Sequence, residues 1–490
     1  MTSTPHFRPR PTHNLLVLTA DAGENWRKTI EVLPEDVLLE IFDFYRLDAM
    51  VQSEGRPWKW HRLAHVCRKW RVVVFGSPRR LGLQILCEYG APIGSILASW
   101  PTLPLVAKFI ANYKSKRIPR NVMVALRRPD RLCEIDLHLK SSMLPSIVEV
   151  TQKPCRTLES IRIIVQVPSL LGPSILVGNT FLGGSAPHLR EIKLDGIAFP
   201  FPSIQQVLLS TNNLVELHLA KIPNDAYFSP DDLVTGLSTA VRLKRLTVDF
   251  HSTVSFPPPN ITRPPPRVGP RRTTPLPSLI FLEFNGATAY LEEFMARIDL
   301  PAHCKIAIRF FNVDILEIPQ LFRLISGLNA LKSPAWALVR HTVDFVGVLF
   351  FQEGKPLIEN CFLGTSCRWL DRQLSFVNRL LNQLSPLLSN VHSLGIQSDY
   401  KFLSGQHVDS TRWLELFRPF THVTQVYVRA AQLLSGIAWA LAAEDMTTDV
   451  LPELASLHMK GYCNSFSVKK AAELFVAARK VSGRTVSLFH

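Results

Sequence analysis

Two kinds of hydrophobic periodicity divide this chain. Over residues 37 to 45, Val37, Leu38, Ile41, Phe42 and Tyr45 recur at helical spacing, which predicts one amphipathic helix. Pro34, Glu35 and Asp36 suit its first turn, where a missing N–H costs little and carboxylates complement the helix dipole. Trp60, Leu63, Val66, Cys67, Trp70 and Val74 repeat the period and predict a second helix over 60–74. Charge separates along the same boundary. Residues 31–54 hold seven acids and one base, whereas residues 55–80 hold eight bases and no acid. Two helices of opposite charge can therefore pack together and turn surplus apolar surface outward. A module of about fifty residues buries little core alone and borrows surface from a partner or neighbour.

Beyond residue 80 the pattern changes to apolar-x-x-apolar-x-apolar, starting at Leu132, Leu158, Leu189, Leu214, Leu243, Leu279, Val391, Val423 and Leu454. The steps are 25 to 36 residues except for one gap of 112 between Leu279 and Val391. Such a step holds one strand and one crossing helix or loop, the unit of a leucine-rich-repeat solenoid. Segments such as LREIKL, LVELHL and LKRLTV alternate as a strand does. The gap has room for more units. The segment His303–Ile308 resembles a strand, and Leu370, Leu374, Val377, Leu381 and Leu384 mark one face of a long helix feeding the Val391 strand. The asparagine usual after such a strand is replaced by Ile197, Ile222 and Tyr462, so no Asn ladder ties the turns. Residues 256–277, with nine prolines and four arginines, read as a loop interrupting the array.

Composition narrows the function. Of 490 residues 47% are hydrophobic and 19% charged, which fits a globular chain and not disorder. A net charge of +15 suits nucleic acid, an anionic membrane or an acidic protein partner. The bases are dispersed and no reader motif accompanies them, which argues against nucleic acid. No apolar run reaches membrane-spanning length: Leu434–Ala443 is short, and Val339–Phe351 is broken by Arg340, His341 and Asp344. The apolar patch Leu15–Ala20 is too short for an export signal, and the eight cysteines are scattered without a ligand cluster. Together these predict a cytoplasmic or nuclear protein with reduced thiols, in which the sequon at Asn260 stays unmodified. Phosphate-loop, dinucleotide, nucleophile-elbow and zinc-protease motifs are absent, so no catalysis and no cofactor are expected.

The residues LPEDVLLEIF and VCRKW, in that order, resemble an F-box, with a long segment between the two motifs. With SPRRLGLQILCEYG, SAPHLREIKLDGIAFP and YLEEFMARIDLP, the whole chain resembles the large F-box family of mushroom-forming fungi. The resemblance implies an α/β fold: a flexible N-terminus at 1–29, a helical F-box at 30–78 and an irregular leucine-rich-repeat domain at 79–490. It implies a substrate receptor that links a target protein, through a Skp-type adaptor and a cullin, to a ubiquitin ligase. The alternative is an interaction scaffold not engaged with a cullin ligase. Leu33, Pro34, Val37, Leu38, Ile41 and Phe42 would lie on the adaptor, with Leu63, Val66, Cys67 and Trp70 shared between that surface and the helix core. If the repeat strands are in register, Asp136, Arg162, Lys193, His218, Thr247, Glu283, Tyr427 and His458 hold the middle outward position and form the candidate target surface. His218 and His458 lie far apart and lack a third ligand, so no metal site is expected.

Overall fold

Pro145, Pro202, Pro230 and Pro319 each stand in the first turn of a helix, and each of these helices is followed by a strand of one long sheet. Ser229 adds a capping box, its hydroxyl accepting from the Asp232 N–H while the Asp232 carboxylate accepts from the Ser229 N–H. The computed structural model describes residues 32–52, 61–77, 80–88, 94, 97–98, 100, 102–166, 180–223, 226–251, 273–311, 316–352, 361–398, 409–429, 433–442, 450–459 and 466–489. The chain divides into two compact units, Met1–Leu86 with Pro92–Leu105, and Cys87–Ala91 with Val106–His490.

In the smaller unit a helix spans Glu35–Gln52. The expected second helix is broken in two, His61–Ala64 and Arg68–Gly76. The break has a local cause: Cys67 is extended, and its sulfur accepts the Trp70 N–H, starting a new helix rather than continuing the old one. Leu38, Phe42, Leu63, Val73 and Val74 are buried here, and Phe42 meets Trp70 edge to face at 4.8 Å. The segregated charges meet across the helices: Arg80 pairs with Glu40 and lies 3.7 Å from Asp43, and Lys69 donates to the Leu33 carbonyl at 2.7 Å.

In the larger unit the sheet runs, in spatial order, Leu105–Ile110, Leu132–Lys140, Ser160–Gln166, Glu191–Asp195, Glu216–Ile222, Arg245–Phe250, Phe281–Ala287, Lys305–Phe311, Cys361–Ser366, Phe345–Phe351, Trp336–His341, Ser393–Ser398, Gln425–Arg429, Ser456–Met459 and Ser487–Phe489. Each of the nine segments with the six-residue pattern overlaps one of these strands. From Leu132–Lys140 to Ser487–Phe489 pairing is parallel except on either side of Phe345–Phe351. The long gap in the pattern is this excursion. The chain skips ahead to Trp336–His341, turns back tightly at Thr342–Asp344, and fills the vacant places with Phe345–Phe351 and Cys361–Ser366. The result is a strand-and-helix solenoid dominated by a parallel sheet, which agrees with the repeat architecture read from the pattern.

Alternate residues of each strand form a continuous core: Ile161 and Ile163, Ile192 and Leu194, Leu217 and Leu219, and on to Val426 and Val428, all fully or nearly buried. The helices supply the facing layer, with Ile204, Val207, Leu208, Leu233 and Leu237 buried among them, and Leu370–Gln383 is the long helix expected before the Val391 strand. Of the proline-rich stretch 256–277, residues 256–272 lie outside the described residues. Its end is not loop, because Thr274–Pro275 pairs in parallel with Ile298–Asp299.

Candidate functional site

Two surfaces come forward, one in each unit. On the Glu35–Gln52 helix, Val37, Ile41 and Phe44 follow one another at four and three residues and are exposed at 39%, 42% and 72%, a stripe facing away from the helix core. Of the ten residues read as adaptor-facing, Pro34, Val37, Ile41 and Val66 are exposed, Leu33, Cys67 and Trp70 are half-buried, and Leu38, Phe42 and Leu63 are buried. The buried three belong to the core of the helical unit, where Phe42 packs on Trp70. Beside the stripe, Glu35, Cys67, Arg68, Lys69 and Val72 line an open groove of about 490 Å³.

On the sheet, the register brings all eight residues of the candidate target row into line. Asp136, Arg162, Lys193, His218, Thr247 and Glu283 are successive partners across six strands, and Tyr427 and His458 are partners further along. The same row passes through Ala307, Phe362, Leu349, Leu338 and Gly395, and ends on Phe489. Asp136 and Thr247 are nonetheless buried, each 7% exposed. Lys108 and His138 each approach the Asp136 carboxylate at 3.6 Å, and Thr247 donates to Glu283 at 3.4 Å, so neighbours close over both.

Along the first strands the charges answer one another. Glu191 takes Arg162 at 3.1 Å and Lys193 at 2.9 Å, and Lys193 also reaches Glu216 at 3.0 Å. Burial works against ionising Glu191, but its bonds and charges from Lys193 and Arg162 outweigh it and hold the carboxyl below its ordinary range. Lys193 is held above its ordinary range in the same way, against the opposing effect of burial.

From Lys305 onward the face changes character. Its outward residues are aromatic, aliphatic, cationic, glycine or neutral polar (Ser366, Ser393, Gln397, Gln425, Ser456 and Ser487), and among the described outward positions of these strands there is no carboxylate. Phe345 and Phe362 lie 5.3 Å apart with the Arg309 guanidinium over both rings, at 5.5 and 5.9 Å. Gly347 and Gly364 make this possible: a Cβ on Gly347 would stand 2.4 Å from the Phe362 ring, and one on Gly364 would stand 2.8 Å from both rings. Tyr427, His458 and Phe489 form a stacked ladder with centroids 4.5 Å apart at each step. Sequence reading missed Arg309, Phe345, Phe362 and Phe489. The alternation in KIAIRFF carries the signal for Arg309, whereas Phe345 sits in a strand buried at nearly every position, which has no alternation to read.

Buried titratable groups elsewhere are structural. Burial pushes the thiols of Cys87, Cys133 and Cys304 up to about 12 and that of Cys155 to about 11, so they stay protonated and unreactive. His341 is fully buried, with Nδ1 3.0 Å from the Gln373 amide oxygen, and burial pushes it down to about 4. Among the described residues no three His, Cys, Asp or Glu side chains gather as metal ligands, and no helix is long and apolar enough to cross a membrane. His218 and His458 share a row but stand on widely separated strands.

No family model matches this chain, and no curated protein matches it. Among solved structures, a leucine-rich repeat-containing protein, LegL7 from Legionella pneumophila, aligns at 13% identity over 82% of this chain and 99% of that one, with a TM-score of 0.27. The solenoid assignment rests on strand order and register, not on that likeness.

Proposed function

We propose that this chain is a non-catalytic substrate receptor, in which the helical unit engages a Skp-type adaptor of a cullin ubiquitin ligase and the sheet of the solenoid holds the target protein. The observation that carries the reading is the division of labour on the Glu35–Gln52 helix: Leu38 and Phe42 face inward while Val37, Ile41 and Phe44 face out. A small helical unit that leaves such a stripe uncovered is built to complete its core with another chain. The resemblance of LPEDVLLEIF and VCRKW to an F-box says which chain. A receptor needs only to raise the local concentration of its target near the ligase, and an extended sheet face serves that purpose without bond chemistry. The partners are the adaptor, a cullin held through it, and a target protein; the expected compartment is cytoplasm or nucleus.

The second reading, a repeat scaffold that works without a cullin, is favoured by the same sheet face and differs only in the helical unit. Reconstitution separates the two. The full chain mixed with its host's Skp-type adaptor and cullin should co-elute as one complex in gel filtration. Elution of the folded chain apart from the cullin leaves the scaffold reading in place.

A further inference from the structure

The outward face from Lys305 to Phe489 differs from the face before it in one respect that selects a partner. The earlier strands neutralise their own charges, through Lys108 with Asp136, Arg162 and Lys193 with Glu191, and Lys221 with Asp195. The later strands carry no described outward carboxylate, and the exposed Arg309 and Arg429 stand in one register row, which between them passes through Gly364, Gly347, Arg340 and Gln397. The neighbouring row holds Phe362, Leu338, Tyr427, His458 and Phe489. A cationic row therefore runs beside an apolar one.

We propose that this half of the sheet binds an extended acidic segment of another protein, with carboxylates at Arg309 and Arg429 and its large apolar side chains on the aromatic row. The proposal rests on reading the solenoid as the target-holding part of a receptor, and it names the chemistry of the target. Spacing agrees with it. Strands lie about 4.8 Å apart, so the five spacings from Arg309 to Arg429 put their Cα atoms about 24 Å apart, about seven residues of extended chain. Arg309 is exposed and already fixed by two rings, so its pairing with a carboxylate orders little that is not ordered beforehand. The rings also argue against single-stranded nucleic acid, which needs open ring faces for its bases. His458 spends both its faces on Tyr427 and Phe489, at interplanar angles of 14° and 8°, and Arg309 covers Phe345 and Phe362.

The test selects peptides from a random display library on the purified full chain and measures their affinity by fluorescence anisotropy. Enriched peptides should combine Asp or Glu with Phe, Leu or Trp, and should lose about tenfold or more of their affinity with each of Arg309→Glu and Arg429→Glu. Arg323→Glu, at an exposed position of the Pro319–Ser326 helix and off the strands, should leave their affinity unchanged. Arg309→Gln with Arg429→Gln gives a weaker form of the same loss should a reversal fail to fold, and wild-type affinity should fall as salt rises. Peptides without acids, affinities indifferent to the arginines, failure to enrich any peptide, or tighter binding of a single-stranded oligonucleotide each overturn the proposal. Adaptor binding measured on the same variants should be unchanged, so loss of peptide binding alone reflects on this face, and absence of adaptor binding in wild type reflects on the receptor reading alone.

Discussion

The imidazole of His458 lies parallel to the ring of Tyr427, with centroids 4.5 Å apart and planes 14° apart, and Phe489 repeats the contact on its other side. The last strand, Ser487–Phe489, is three residues long and sits at the sheet's edge, so this stack is a large part of what holds it. His458→Ala removes both contacts, at a cost of about 1 kcal/mol or more. Hydrogen exchange should show amides 487–489 opening several-fold faster in the variant, with the strands up to Ser393–Ser398 unaffected.

Gly347 stands where a methyl group has no room. Gly347→Ala would drive a Cβ into Phe362 at 2.4 Å and Phe345 at 2.8 Å, and two neighbours in the sheet cannot both move away. Overpacking of this kind costs about 1–3 kcal/mol, which should appear as a lower urea midpoint with an unchanged slope. A midpoint equal to wild type would show that the rings do not rest on the sheet as described.

Arg297 is a buried guanidinium, 8% exposed, that reaches Asp231 at 2.7 Å and Glu293 at 2.9 Å and so ties two repeat helices together. Its carboxylate partners are partly exposed and can be solvated when it is removed. Arg297→Met should therefore cost about 1–2 kcal/mol, less than a fully buried pair, and more than Asp231→Ala in the same assay.

His341 makes stability depend on pH. Burial holds it near 4 in the folded chain, against 6.5 for an unperturbed histidine. A lowered base pKa means that the unfolded chain binds the extra proton first. The neutral form's advantage is complete above about 6.5 and is lost as pH falls toward 4, a loss of about 3 kcal/mol over that window. Urea unfolding between pH 4 and 7 should show this slope in wild type, and His341→Asn should show a shallower one.

The strands were legible because their constraint is local and periodic. The strands of LREIKL and LVELHL bury every second residue, and a parallel neighbour repeats the requirement at a fixed offset, so the pattern also predicted which residues share a row. What escaped was decided by tertiary context. The strand FVGVLFF is buried on both faces and shows no alternation, and nothing in its sequence says that it runs against its neighbours. In the helical unit, the spacing of Leu38 and Ile41 marks both as apolar, but only the packing of Phe42 against Trp70 decides that Leu38 turns inward and Ile41 outward. Likewise the pattern over 60–74 is helical throughout, and the Cys67 cap that divides it leaves no periodic trace.

The receptor reading stands or falls on the outward stripe of the first helix. The measurement is a calorimetric titration of the purified full chain with its host's Skp-type adaptor, for wild type and for Val37→Asp with Ile41→Asp. Both positions are exposed, so the variant should unfold within about 0.5 kcal/mol of wild type per substitution. The account predicts tight binding by wild type and a loss of about 2 kcal/mol or more, some thirtyfold in affinity, in the folded variant. Folded wild type that does not bind the adaptor, or a variant that binds it as well, would contradict it.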